Sequence, residues 1–197
     1  MVTVANFHSM PGRVFIIHGT GGAPEGNWFP WLAAKLREHG TEVLVPRFPT
    51  PEGQNLQAWL RVFADIAGPL TPGDVLVGHS IGAAFALRLL ERAETRIRAV
   101  FLIAGFSSQL GDPAFDPYTA TFMKAPFDWQ KIRRNSGSFF VYAGDIDPYV
   151  PRRFTTELAA GVGSSPVIIP GGGHLSAESG WLTLPFLWEE IRKSDRK

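Results

Sequence analysis

Ser80, His174 and the aspartates at 145 and 147 are the side chains whose types and surroundings suit nucleophilic chemistry. Ser80 stands in Gly78-His79-Ser80-Ile81-Gly82, a Gly-x-Ser-x-Gly pattern. A serine held out at a tight strand-to-helix turn has strained backbone geometry, and side chains two positions away on either side would collide. Glycine at 78 and 82 removes those collisions. In a chain with 21 glycines the pentapeptide alone says little. Its context carries the weight. Val75-Leu76-Val77 before it reads as a short apolar strand, and Ala83-Ala84-Phe85-Ala86-Leu87 after it as a helix of small residues.

A serine hydroxyl is a weak nucleophile until a base takes its proton, and the base needs an acid to fix its tautomer. For this turn the expected order along the chain is serine, acid, histidine, each just after the C-terminal end of a strand. Of the five histidines, His8 and His39 precede the serine and follow no apparent strand. His18 shapes the first loop, and His79 fills the variable position beside Ser80. His174 alone follows Ser80, in Pro170-Gly171-Gly172-Gly173-His174 after the last apolar run. It is the candidate base. For the acid, Gly144-Asp145-Ile146-Asp147-Pro148 follows a strand, and both aspartates are in the turn. Asp147 is favoured because a residue before proline is held extended and can project toward the next loop. Asp145 reads as a cap or brace of the turn. Asp112 and Asp116 stay in reserve after an earlier strand, and Asp128 is weaker.

The negative charge that develops on an attacked carbonyl needs two donors aimed at it. The main-chain N–H of Ile81 is one candidate, and Thr20 or Gly21, in His18-Gly19-Thr20-Gly21-Gly22, supplies the other. A phosphate-binding role for these glycines is disfavoured. The loop lacks Gly-x-Gly-x-x-Gly spacing, and no Lys-Ser/Thr follows it.

These residues must be positioned by a repeating frame. Apolar runs at 13–17, 42–45, 74–77, 97–105, 138–144 and 166–169 read as strands. Helical spacing appears at 28–36 with Asn27 as N-cap, at 55–67, 81–91 and 151–160, and in a closing helix capped by Thr183. Strand and helix alternate about six times through connections too long for hairpins. The expected fold is therefore α/β, with three layers: a mainly parallel sheet of about six strands and helices on both faces. Residues 1–197 read as one domain, and 106–137 lacks clear periodicity.

A hydrophobic fraction of 45% with 19% charged residues describes a folded globular chain. A net charge of +1 gives no general attraction to nucleic acid. Arg133-Arg134, Arg152-Arg153 and Arg192-Lys193 read as solvated helix faces. The absence of cysteine excludes disulfides, thiolate metal sites and a cysteine nucleophile. No cofactor or metal is expected. Residues 1–13 lack the pattern of a signal peptide, and no apolar run approaches the roughly 20 residues of a membrane span. A cytoplasmic location is the expectation.

Taken together, His18-Gly19-Thr20 with Asn27-Trp28-Phe29-Pro30-Trp31-Leu32, Gly78-His79-Ser80-Ile81-Gly82-Ala83, Asp147-Pro148-Tyr149-Val150-Pro151, and Gly172-Gly173-His174 running to Ser179-Gly180 resemble the small α/β-hydrolases of the retinoblastoma-binding-protein-type serine hydrolase family. The resemblance implies a minimal α/β-hydrolase fold without a large lid, and esterase-like activity with Ser80, Asp147 and His174 at the triad positions. Many members carry a doubled acid directly before the proline; here Ile146 precedes Asp147. Binding to retinoblastoma protein through Leu-x-Cys-x-Glu does not carry over to a chain without cysteine.

The expected substrate is a small molecule of ester or thioester type. Phe106, Phe115, Tyr118, Phe122, Phe127 and Trp129 form either packing under a long loop or an aromatic cap over an apolar acyl or aryl group. Trp181 is either a wall of the pocket or an anchor for the last helix, and His18 and His79 complete the pocket candidates. The competing reading is a protein-interaction module that keeps the fold without catalysis. Acyl transfer and amide cleavage are further possibilities for the same residues.

Overall fold

The structure is a computed structural model that describes residues 12–194; His8 and most of the 1–13 stretch fall outside them. Runs such as Val14-Phe15-Ile16-Ile17, apolar without alternation, suit strands covered on both faces. They form β1 (Arg13–Ile17), β2 (Glu42–Leu44), β3 (Val75–His79), β4 (Ile97–Ile103), β5 (Ser136–Gly144) and β6 (Pro166–Ile169). The spatial order is β2-β1-β3-β4-β5-β6, and every neighbouring pair is parallel. The six-stranded parallel sheet is the expected one.

Successive strand residues face opposite sides. Phe15, Ile17 and Leu76 enter one core layer, while Val14, Ile16, Val75 and Val77 enter the other. The first layer is closed by α2 (Leu56–Ala67), α3 (Ile81–Leu90) and α6 (Arg152–Val162). The second is closed by α1 (Phe29–Glu38) and α7 (Pro185–Lys193). All of α3 is buried, which explains why, Arg88 apart, it is apolar on every side. The chain thus leaves β1 for one face and β3 for the other. The crevice between their C-terminal ends is a topological switch point, the place where open α/β sheets hold ligands.

The opposite, N-terminal end of the neighbouring strands β1 and β3 is pinned by Arg13. Its Nε and Nη2 donate to the fully buried Asp74 carboxylate at 2.9 and 2.6 Å.

Within the aperiodic 106–137 stretch lie two short helices, α4 (Asp116–Met123) and α5 (Trp129–Arg134). Elements of eight and six residues are too short to print a 3.6-residue repeat. They are tied to α3 by Arg88, itself buried. Its Nε donates to the Phe122 carbonyl at 2.9 Å, and Nη1 and Nη2 reach the carbonyls of Pro126 and Ala125. The guanidinium lies 3.7 Å over the Phe127 ring. Glu91 neutralises Arg88 at 2.7 Å and also accepts the Asp128 N–H at 2.7 Å.

Two expected caps are not formed. Asn27 precedes Trp28, which is the N-cap of α1, and Asn27 turns its Oδ1 to the Ala177 N–H at 2.9 Å. Thr183 does not cap the last helix, which starts at Pro185 after Leu184; proline at the first turn needs no donor satisfied there.

Candidate active site

Ser80 occupies the turn between β3 and α3 with φ 57° and ψ −126°. For a residue with a Cβ this is strained, worth about 1–3 kcal/mol, and persists only where the surroundings enforce it. The surroundings do. Ser80 N–H donates to the Ile103 carbonyl of β4 at 2.9 Å. A Cβ on Gly78 would run into the Gly82 carbonyl, and one on Gly82 would lie 2.5 Å from the Ile17 carbonyl oxygen. The two glycines of the motif are therefore required by direct backbone contact.

The loop after β1 passes directly over this serine: a Cβ on Gly19 would stand 2.9 Å from Ser80 Cβ. The loop is folded tightly on itself, with Gly22 N–H donating to the Gly19 carbonyl at 3.1 Å. His18 braces it from behind. Its Nε2 accepts the Phe48 N–H at 3.1 Å, so its Nδ1 carries the hydrogen donated to the Gly19 carbonyl at 2.8 Å. Burial pushes the His18 pKa below its ordinary value and keeps the ring neutral. Of the two candidate donors, Gly21 N–H is already engaged by Thr50 Oγ1 at 2.7 Å. That leaves Thr20 N–H beside Ile81 N–H, which opens α3 and has no acceptor within the helix.

The loops that carry the candidate acid and base follow β5 and β6. Asp147 Oδ2 lies 2.8 Å from His174 Nδ1, and both side chains are nearly buried. Asp147 Oδ1 accepts the N–H groups of Tyr149 and Val150 at 2.9 and 3.0 Å, so its carboxylate is fixed in rotation. Asp145 has a different task. It is exposed, and its pKa is lowered first by the Gly171 N–H, so it braces the base loop from outside. Asp112 and Asp116 accept main-chain N–H groups of their own turn, and Asp128 caps α5.

His174 is held by its main chain. Its N–H donates to Ser179 Oγ at 3.0 Å, and its carbonyl accepts His79 Nε2–H at 2.9 Å. Trp28 Nε1 donates to the adjacent Leu175 carbonyl at 2.9 Å. The His79 ring is packed among Trp28, Phe29 and His174, and burial depresses its pKa to about 3. Gly144 and Gly172 bring the two loops into backbone contact; a Cβ on Gly172 would sit 2.7 Å from Gly144 Cα.

These loops surround a cleft of about 440 Å³. Thr20, Gly21, His79, Ser80, Phe106 and His174 line it together, while Ile81 and Asp147 stand behind the lining. Four pocket candidates are elsewhere. His18 lies under the loop it braces. Phe122 fills the core against Trp59 and Phe85, and Trp129 packs on Phe127 and over Gly161. Trp181 meets Phe186 in the layer of α7. Each large ring finds more apolar contact there than at a wet cleft.

Sequence reasoning missed Leu110, Thr119, Tyr149, Val150, Ser176 and Glu178 in the wall. Tyr149 was within reach: it stands two residues after Asp147, where the Asx turn that fixes the acid must place it. Its ring lies edge-on to His174 at 5.1 Å, and its hydroxyl donates to Glu178 Oε2 at 2.7 Å. Among the described residues no cluster of His, Asp and Glu could hold a metal ion, and no helix is long and apolar enough to cross a membrane.

The sequence model described as "Serine hydrolase" matches residues 14–193. The chain belongs to this serine hydrolase family. It is 30% identical over 185 residues to YdeN of Bacillus subtilis (strain 168), covering 92% of this chain and 95% of that one. It is 26% identical over 152 residues to the serine hydrolase RBBP9 of Rattus norvegicus, covering 76% and 79%. The crystal structure of the B. subtilis ydeN gene product superposes with a TM-score of 0.86 at 28% identity, over 94% of this chain and 99% of that one. Est1E from Butyrivibrio proteoclasticus, with ferulic acid bound, shares the fold with a TM-score of 0.70 at 18% identity, over 95% and 89%. The architecture is a minimal α/β-hydrolase fold, and the resemblance drawn from the motifs holds.

Proposed function

We propose that this serine hydrolase cleaves small carboxylic esters or thioesters through an acyl-enzyme. Ser80 Oγ attacks the carbonyl carbon while His174 Nε2 takes its proton. Asp147 holds His174 in the Nδ1–H tautomer and stabilises the imidazolium. The N–H groups of Ile81 and Thr20 receive the charge on the carbonyl oxygen. The leaving group departs with the proton from His174, and a water activated by the same ring releases the acid.

The observation that carries this reading is the 2.8 Å contact of Asp147 Oδ2 with His174 Nδ1, on the wall of the cleft that holds Ser80. A module kept only for binding has no need of an acid aimed at that nitrogen. Apolar side chains from Phe106, Leu110, Phe115 and Val150 suit an acyl or aryl group of modest size.

The test is labelling with a fluorophosphonate alongside hydrolysis of p-nitrophenyl acetate and butyrate. Labelling at Ser80, lost with turnover in Ser80→Ala and His174→Ala, is the expected result. A folded protein that neither labels nor turns over ester, yet holds a stable partner unaffected by both substitutions, overturns the proposal in favour of a binding module.

A further inference from the structure

Gln54 joins the loop over Ser80 to the segment that walls the cleft. It lies in the connection before α2, is only 8% exposed, and has every polar atom of its side-chain amide committed. Nε2 donates to Thr20 Oγ1 at 2.9 Å and to the Tyr118 carbonyl of α4 at 3.0 Å. Oε1 accepts the Thr50 hydroxyl at 2.5 Å, and Thr50 Oγ1 in turn accepts the Gly21 N–H at 2.7 Å. One amide therefore grips the loop twice, through the Thr20 side chain and, by way of Thr50, through the Gly21 main chain. The neighbouring Leu56 N–H reaches Thr121 Oγ1 of α4 at 2.9 Å, which ties the same connection to the same helix.

The residues gripped matter because Thr20 lines the cleft with Ser80 and carries the proposed oxyanion donor. A donor to a developing oxyanion acts only if it is fixed before the reaction; one that swings freely stabilises the bound ester and the tetrahedral state alike, or neither. The loop is rich in glycine and would be loose without cross-bracing. The peptide that carries the Thr20 N–H is held on one side, at its Gly19 carbonyl, by His18 Nδ1–H and the Gly22 N–H; on the other side it is fixed through the Thr20 hydroxyl and through the next peptide's Gly21 N–H. The two holds on that second side run through Gln54, directly to Thr20 and by way of Thr50 to Gly21.

We infer that Gln54, acting with Thr50, is a positioning residue for the Thr20 oxyanion donor, and that it links this donor to the wall helix α4. The inference rests on the hydrolase reading above. Gln54 touches no reacting atom; its effect is on the geometry of Thr20. Loss of the grip lowers kcat and leaves KM nearly unchanged, because the acyl pocket stays in place while transition-state stabilisation falls.

The experiment compares the intact chain with Gln54→Leu, Thr50→Val and Thr50→Ser, using p-nitrophenyl butyrate for kcat and KM and butylboronic acid as a mimic of the tetrahedral state. Gln54→Leu and Thr50→Val are expected to lose about 10-fold in kcat with KM within about 3-fold, and boronate affinity falls in step with kcat. Thr50→Ser keeps the hydroxyl and stays near the wild type. If Gln54→Leu does not fold, Thr50→Val and its serine counterpart carry the test alone. Variants that melt earlier yet keep kcat and boronate affinity overturn the inference, as does a loss expressed in KM. A wild type that neither cleaves ester nor binds boronate overturns the hydrolase reading and this inference with it.

Discussion

Asp147 divides its carboxylate between two tasks: Oδ2 faces His174 Nδ1 at 2.8 Å, and Oδ1 is locked by the N–H groups of Tyr149 and Val150. An asparagine in its place keeps the turn through its carbonyl and then presents an N–H to His174. In the proposed mechanism that selects the wrong tautomer of His174. Asp147→Asn is expected to fold normally and lose on the order of 10⁴ in kcat on an aryl ester. Asp145→Asn, which touches the base loop from its solvent side, loses less than about 10-fold by the same assay.

Ser80 is held at φ 57°, ψ −126°, where only glycine is unstrained. Ser80→Gly and Ser80→Ala both remove the proposed nucleophile, but only glycine releases the strain. In thermal or urea unfolding, the glycine variant is expected to exceed the alanine variant by about 1 kcal/mol. Equal stabilities would mean that the turn is relaxed.

His79 has a pKa of about 3, far below its ordinary 6.5, because its ring is buried. The unfolded chain therefore takes up this proton first as the pH falls. The contribution is complete above pH 6.5 and shrinks by up to about 1.4 kcal/mol per pH unit between 6.5 and 3. His18 is shifted in the same direction, also by burial. Denaturant titrations at pH 7 and pH 5 should show the wild type losing about 2 kcal/mol more than His79→Gln. A wild type and a variant that lose stability in parallel would contradict the buried neutral ring.

Two phenylalanines of the 106–137 stretch separate core from wall. Phe122 is fully buried among Trp59 and Phe85, whereas Phe115 lines the cleft beside Tyr149. Phe122→Ala is expected to destabilise by about 3–5 kcal/mol. Phe115→Ala is expected to leave the melting temperature nearly unchanged and to raise KM for butyrate about 10-fold relative to acetate, the value of one lost apolar contact of about 1.4 kcal/mol. Chain-length profiles over the two variants check this.

The parallel sheet was readable because strands buried on both faces leave uninterrupted runs such as Val14 to Ile17, and helices between them leave a 3.6-residue repeat. The turn at Ser80 was readable because its two glycines answer local backbone collisions. What escaped was set by distance. Asn27 has the look of an N-cap, yet its acceptor serves Ala177, 150 residues away. Gln54 shows no motif at all, since Thr20 of the first loop and Tyr118 of α4 converge on it and Thr50 only in the folded chain. Phe122, Trp129 and Trp181 share composition with a substrate wall, and only the packing reveals which rings face the cleft. That the Gly21 N–H is taken, by the single hydroxyl of Thr50, was likewise invisible in the local pattern.

Arg88 holds the end of α4 and the turn after it by the carbonyl oxygens of Phe122, Ala125 and Pro126. Carbonyls are the same whatever amino acid bears them. The mooring is thus indifferent to side-chain identity on the face of the segment that looks into the cleft. Phe115, whose ring lines the cleft, can be exchanged while the helix stays berthed against α3, whereas Thr119 is buried with its hydroxyl committed to Gln109 Oε1 and Leu110 packs on the core. Under the proposed hydrolase reading, substitution at Phe115 redraws substrate preference with Ser80, His174 and Asp147 left untouched, which makes this wall the natural ground for diversifying libraries.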